Sequence, residues 1–186
     1  MQRRKFIQTG LVATPLSMSG ITLVEVGANT LPVENSFVVK AGQDRFNEPI
    51  KYRGISPNLV KISARDTGGQ FSVFEYEGFA KMGPDLHVHL KQDETFYILE
   101  GEYIFQVGEQ KHTLVAGDTI FLPRNIAHTW LQLTDKGKLM YMLQPAGKME
   151  EFFKKMNLLK GIPTQDEINK IHLAHDLRVL GPPLSL

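Results

Sequence analysis

The stretch from Lys51 to Gln144 is cut into pieces too short for ordinary helices, and that constrains the fold more than any other feature. Nine extended segments, 59–64, 71–76, 86–90, 95–99, 103–107, 112–115, 119–122, 128–133 and 139–143, are each about one strand long. Between them lie Gly68-Gly69, Gly78, Gly83-Pro84, Glu100-Gly101-Glu102, Gly108-Glu109-Gln110, Gly117-Asp118 and Asp135-Lys136-Gly137, residues whose backbone and side-chain chemistry suits turns. No helical period interrupts the series. Many short strands with short connections predict an all-β sandwich or barrel whose edges are paired.

After Pro145 the period changes. Met149, Phe152, Phe153, Met156 and Leu159 recur at helical spacing within Lys148–Leu159, so this segment is expected to form an amphipathic helix packed on the barrel. Pro163-Thr164 with Glu167 three residues on has capping-box spacing and opens a second helix that runs to about Leu177. Gly181-Pro182-Pro183 then forbids further helix, and the chain is expected to end as an extended tail.

The N-terminus reads as an address rather than as part of the fold. Arg3, Arg4 and Lys5 precede Phe6-Ile7-Gln8, and Thr9 to Val24 contains no charge, the layout of an export signal. Those 16 uncharged residues, diluted by Thr, Ser, Gly and Pro15, fall short of the roughly 20 apolar residues that span a bilayer. A stable membrane span is therefore not expected. The order Arg-Arg-Lys-Phe-Ile-Gln resembles twin-arginine signals, and the resemblance implies export of a folded protein to the bacterial periplasm. A short amphipathic helix is the alternative reading. With cleavage after Ala28 the domain plan becomes 1–28 signal, 29–57 lead-in with one or more strands, 58–145 barrel and 146–186 helical tail.

Composition limits the chemistry. There is no cysteine, so disulfides, thiolate nucleophiles and thiolate metal sites are all excluded. A formal charge of +1, without any interior basic run, gives no track for a phosphate backbone, and nucleic acid is not an expected partner. No Gly-x-Ser-x-Gly elbow, phosphate loop or dinucleotide fingerprint occurs.

What remains are histidines and carboxylates. His87 and His89, two apart in a predicted strand, point to one face; Glu94 follows five residues later, and His128 opens a later strand after Pro123-Arg124-Asn125. Three imidazoles and one carboxylate make a reasonable shell for a divalent transition metal, with positions open to water, substrate or oxygen. Iron, manganese, nickel, copper and zinc all accept this donor set.

From Gly83 onward the chain gives His87-x-His89, four residues, Glu94, six residues and Gly101; then Gly117, five residues, Pro123-x-Asn125, two residues and His128. These segments resemble the two sequence motifs of the cupin superfamily over about residues 58 to 145. The resemblance implies a small antiparallel β-barrel (double-stranded β-helix, jelly roll) with the ion held inside by His87, His89, Glu94 and His128. Three departures stand out: Gly83 lies two positions later than usual, Asn125 replaces a glycine but tolerates positive φ, and Gln132 replaces an asparagine. The helical tail with its Leu180-Gly181-Pro182-Pro183-Leu184 ending resembles single-domain bacterial cupins described as similar to quercetin dioxygenases.

Three functions follow as expectations. The first is a metal-dependent dioxygenase acting on a small organic substrate, with Glu94 doubling as proton acceptor. The second is a cupin that binds a sugar or metabolite without turnover. The third is a non-redox metal-dependent isomerase or hydrolase. Phe96, Ile98 and Trp130 share faces with the candidate ligands, so each is either pocket wall or core. His172 and His175, three apart on the second helix, are assigned surface or packing roles, and His112 has no partner at ligand spacing. Asp93 is assigned to a turn. By resemblance the chain forms a homodimer through sheet packing, with residues 29–57 able to supply an exchanged strand.

Overall fold

A computed structural model describes residues 35–52, 54–159, 161 and 163–185; the expected export signal and its expected cleavage point lie outside the described residues. Two antiparallel sheets face one another. The first contains β1 (Ile50–Tyr52), β2 (Ser56–Ile62), β3 (Ser72–Gly78), β5 (Asp93–Glu100), β8 (Thr119–Leu122) and β10 (Gly137–Gln144). Its order is β1-β2-β3-β10-β5-β8. The second contains β4 (Asp85–His89), β6 (Glu102–Val107), β7 (Gln110–Val115), β9 (His128–Gln132) and β11 (Leu177–Pro183). It runs β11-β4-β9-β6-β7. This is the all-β architecture expected, a β-sandwich of two antiparallel sheets with helices toward its C-terminal end.

Alternation in the sequence builds the core. In β3 the side chains of Phe74 and Tyr76 are buried while Val73, Glu75 and Glu77 turn outward; β10 buries Leu139, Tyr141 and Leu143 in the same way. Across the interior, Tyr141 stacks between Phe74 and Phe96 with ring centroids 5.1 and 5.2 Å away, and Phe96 meets Phe105 edge-on. Aromatic rings carry much of this small barrel's interior volume.

Close backbone approaches explain several glycines. A side chain at Gly83 would run into the carbonyl oxygen of Trp130, and this approach lets the chain before β4 lie along β9. Asn125 takes φ 65°, so the turn before β9 survives without glycine. Gln132 is fully buried and bonded: its amide donates to the carbonyls of Gly78 and Thr134 at 3.3 and 2.8 Å.

The tail differs from the sequence expectation. Helix α1 (Met149–Leu158) and helix α2 (Gln165–Ala174) form where the period placed them, and the Thr164–Glu167 capping box is made in both directions. However, α2 stops three residues before Leu177. Asp176 turns the chain at φ 61°, and the expected extended tail is strand β11, paired to β4 with Leu177 opposite His89 and Val179 opposite His87. The region 146–186 is therefore not wholly helical. Pro182 and Pro183 are tolerated because β11 is an edge strand. In the lead-in, β1 pairs with β2 of the same chain. Among the described residues no helix is long and apolar enough to cross a membrane.

Candidate metal centre

The four predicted ligands come together from both sheets. β4 pairs with β9 at one register position, His87 opposite His128, which brings the first and second motifs into contact. Glu94 arrives from β5 in the facing sheet. The possible ligand atoms of His87, His89, Glu94 and His128 all lie within 4.8 Å of one another. Donors about 2.1 Å from one ion stand at most about 4.2 Å apart, so small side-chain shifts suffice.

Hydrogen bonds orient two of the rings for coordination. The Nδ1 atoms of His87 and His128 donate to the carbonyl oxygens of Asp85 (2.8 Å) and Ile126 (3.0 Å). A carbonyl only accepts, so the Nε2 lone pairs are left free for an ion. The Nε2 of His128 is buried and meets no hydrogen-bond donor, although Glu94 Oε2 lies 3.2 Å away. An orphaned buried nitrogen is costly unless something occupies the position it faces. On the other side, His89 Nε2 is 3.7 Å from Glu94 Oε1. Both His89 Nδ1 and the neighbouring Gln92 Oε1 lack partners, and as donor and acceptor they are complementary. The donor set thus fits a divalent ion.

Electrostatics favour the metal-ready protonation state. Burial lowers His87 well below the usual imidazole value, and charge on His128 and His89 pushes the same way; burial likewise lowers His89. Both rings stay neutral at neutral pH. For Glu94 burial opposes ionisation, but the neighbouring imidazoles, His89 first and then His128 and His87, favour the carboxylate by more and hold the carboxyl low.

A second layer steadies the loop before His128. Asp93 grips Arg124 through its main-chain N–H (2.8 Å), Nε (3.0 Å) and Nη2 (2.6 Å), while the N–H of Asn125 donates to the His89 carbonyl at 2.8 Å. Hydrogen bonds from Arg124 push Asp93 down to about 2. Asp93 is therefore more than a turn residue. Its partner lies 31 positions away, beyond the reach of local spacing.

The centre opens on a cavity of about 630 Å³, within the range typical of small-molecule sites. His87, His89 and Glu94 reach it, and Phe96 and Trp130 form wall as one of their two readings had it. Ile98 does not: it is fully buried in the core outside the lining. Tyr141, also in the wall, is held protonated by burial and donates to Asn58 at 2.9 Å. The helices contribute Phe152, Phe153 and Met156 from α1 and Ile168 and His172 from α2. His172 and His175 are both buried, while His112 is exposed on β7.

Comparison with known proteins agrees with this geometry. Residues 73–143 match the family described as "Cupin domain". A stretch of 95 residues, 51% of this chain, is 33% identical to quercetin 2,3-dioxygenase of Bacillus subtilis, and it spans 28% of that protein's length. The chain thus covers under a third of its curated relative. Among solved structures, KdgF from Halomonas sp. superposes with TM-score 0.52 at 14% identity, covering 62% of this chain and 98% of that one. A predicted oxalate decarboxylase from Thermotoga maritima gives TM-score 0.52 at 18% identity, covering 59% and 99%. These likenesses establish the cupin fold.

Proposed function

We propose that this chain is a metal-dependent, dioxygenase-like enzyme acting on a small, planar organic substrate. The observation that carries the reading is the four-donor cluster opening onto an aromatic-walled cavity. The partial identity to a quercetin 2,3-dioxygenase supports the direction. His87, His89, His128 and Glu94 would hold the ion. When bound, it supplies Lewis acidity toward a substrate oxygen and a redox partner for dioxygen. Phe96, Trp130 and Tyr141 offer flat faces to a planar substrate, and the residues of α1 and α2 that cover the cavity exclude bulk water. Glu94, which lines the cavity, would accept the proton of the substrate hydroxyl.

Oxygen uptake by Fe(II)- or Mn(II)-loaded protein with quercetin tests this. Uptake that requires both metal and flavonol, and that disappears in His87→Ala, is expected. No uptake with Fe, Mn, Ni, Cu or Zn loading, alongside tight flavonol binding, would leave a binding protein and overturn the enzymatic reading.

The reading extends to assembly and location. On the outer face of the first sheet Tyr97, Phe121 and Met140 are exposed on adjacent strands, with Met140 registered against Tyr97 and Phe121 against Thr95. A second copy of the chain is the proposed occupant of this flat apolar face. A light-scattering mass near the 21.0 kDa of one full chain would refute it. The Arg3-Arg4 segment is proposed to direct export to the periplasm, and replacing both arginines by lysine should retain the protein in the cytoplasm.

A further inference from the structure

The second helix carries a histidine that the metal centre leaves unused. His172 is 8% exposed, and its Nδ1 donates to the carbonyl oxygen of Ile168, one turn back, at 2.7 Å. The acceptor can only be that carbonyl, so in the neutral ring the proton sits on Nδ1 and Nε2 keeps its lone pair. Burial keeps the ring neutral, against the pull of Asp85 and with the push of His175. Phe152 packs edge-on against the imidazole, centroids 4.9 Å apart, which fixes its plane. The ring forms part of the same cavity wall as His87, His89 and Glu94. Among the described residues Nε2 has no hydrogen-bond partner, yet it is not sealed inside protein.

His175 supplies an internal contrast. Its Nδ1 makes the same bond one turn back, to Ile171 at 2.6 Å, but its Nε2 faces Glu151 Oε1 at 3.8 Å and the ring is outside the cavity lining. One histidine is spent on packing and on facing a carboxylate. The other lines the ligand space and keeps an Nε2 lone pair without a partner among the described residues.

We infer that His172 is a ligand-contacting residue, its Nε2 accepting a hydrogen bond from a hydroxyl of the bound small molecule other than the oxygen held at the metal centre. The cavity then selects aromatic compounds with at least two hydroxyl groups, one for each pole. This rests on the reading of the cavity as a site for a planar aromatic substrate, but not on turnover.

The test compares anaerobic binding of quercetin and of 3-hydroxyflavone, which lacks the additional hydroxyls, to the zinc(II)-loaded full chain. His172→Phe should weaken quercetin about tenfold, as expected for one hydrogen bond, and leave 3-hydroxyflavone within about twofold. His172→Gln, which restores a polar acceptor, should recover most of the loss, and zinc content should be unchanged in both variants. In wild-type protein the Nε2 resonance of His172 in ¹⁵N NMR should shift on adding quercetin and not on adding 3-hydroxyflavone. Equal weakening of both flavonols would mean a packing role; unchanged affinities, or failure of wild type to bind either probe, would likewise overturn the inference. Absent oxygen uptake with this difference intact would refute only the proposed enzymatic activity.

Discussion

Metal affinity should decline far less in acid than the residue types alone dictate. The perturbation is a shift from pH 7.0 to pH 5.5 on the zinc(II)-bound protein. An ordinary imidazole with pKa about 6.5 is roughly nine-tenths protonated at pH 5.5, so each such ligand costs about tenfold in affinity and three cost about a thousandfold. In this centre His87 lies well below the ordinary value because it is buried beside His128 and His89, and burial lowers His89 too. Rings with lowered values stay neutral as pH passes through 6.5, leaving the metal no proton to displace there. Two of the three tenfold factors therefore shrink, and the affinity loss should stay below about a hundredfold. The same shifts act oppositely on the metal-free protein: below pH 6.5 the unfolded chain binds protons at these positions that the native chain refuses. Stability of the apo form should fall as pH falls through that range. Competition titration with a zinc-binding indicator at the two pH values measures the first effect, and urea unfolding of the apo protein the second. A full thousandfold loss of affinity would refute the argument that burial tunes these ligands.

Other expectations concern the supports of the site. Arg124→Ala removes the two guanidinium bonds by which Asp93 holds the loop before His128, leaving the main-chain one, and should lower zinc affinity up to about tenfold while the fold persists, read by the same titration and by circular dichroism. Leu177→Ala empties a buried position opposite His89 and should cost about 2–5 kcal/mol in urea unfolding. Gly83→Ala drives a methyl group into the Trp130 carbonyl and should destabilise by about 2–3 kcal/mol, whereas Gly117→Ala meets no neighbouring atom and is strained only through its positive φ.

Much of the framework was legible because it depends on short-range rules. Alternation at Phe74, Tyr76, Phe96 and Tyr103 fixes which faces turn inward, and Thr164 with Glu167 announces a cap that the structure makes. The ligand set was legible through spacing: His87 and His89 two apart share a face, and the turn at Asn125 delivers His128 beside them. Depth was not legible. Phe96 and Ile98 lie on the same face of β5, but only Phe96 reaches the cavity, since distance along the strand relative to the facing sheet depends on register. The grip of Asp93 on Arg124, the fit of Gln132 between Gly78 and Thr134, and the placing of α1 and α2 over the cavity are all long-range contacts. The fate of the last residues was hidden for a related reason. Gly181-Pro182-Pro183 excludes helix, but the free edge of β4 that captures β11 exists only once the barrel has formed.

The central claim is that His87, His89, Glu94 and His128 form one metal site per chain. Elemental analysis of purified protein beside its His128→Ala variant, both checked for native circular dichroism, tests it most directly. The account predicts about one divalent transition-metal ion per wild-type chain and a small fraction of that in the variant. Stoichiometric metal retained by a folded His128→Ala protein would contradict it.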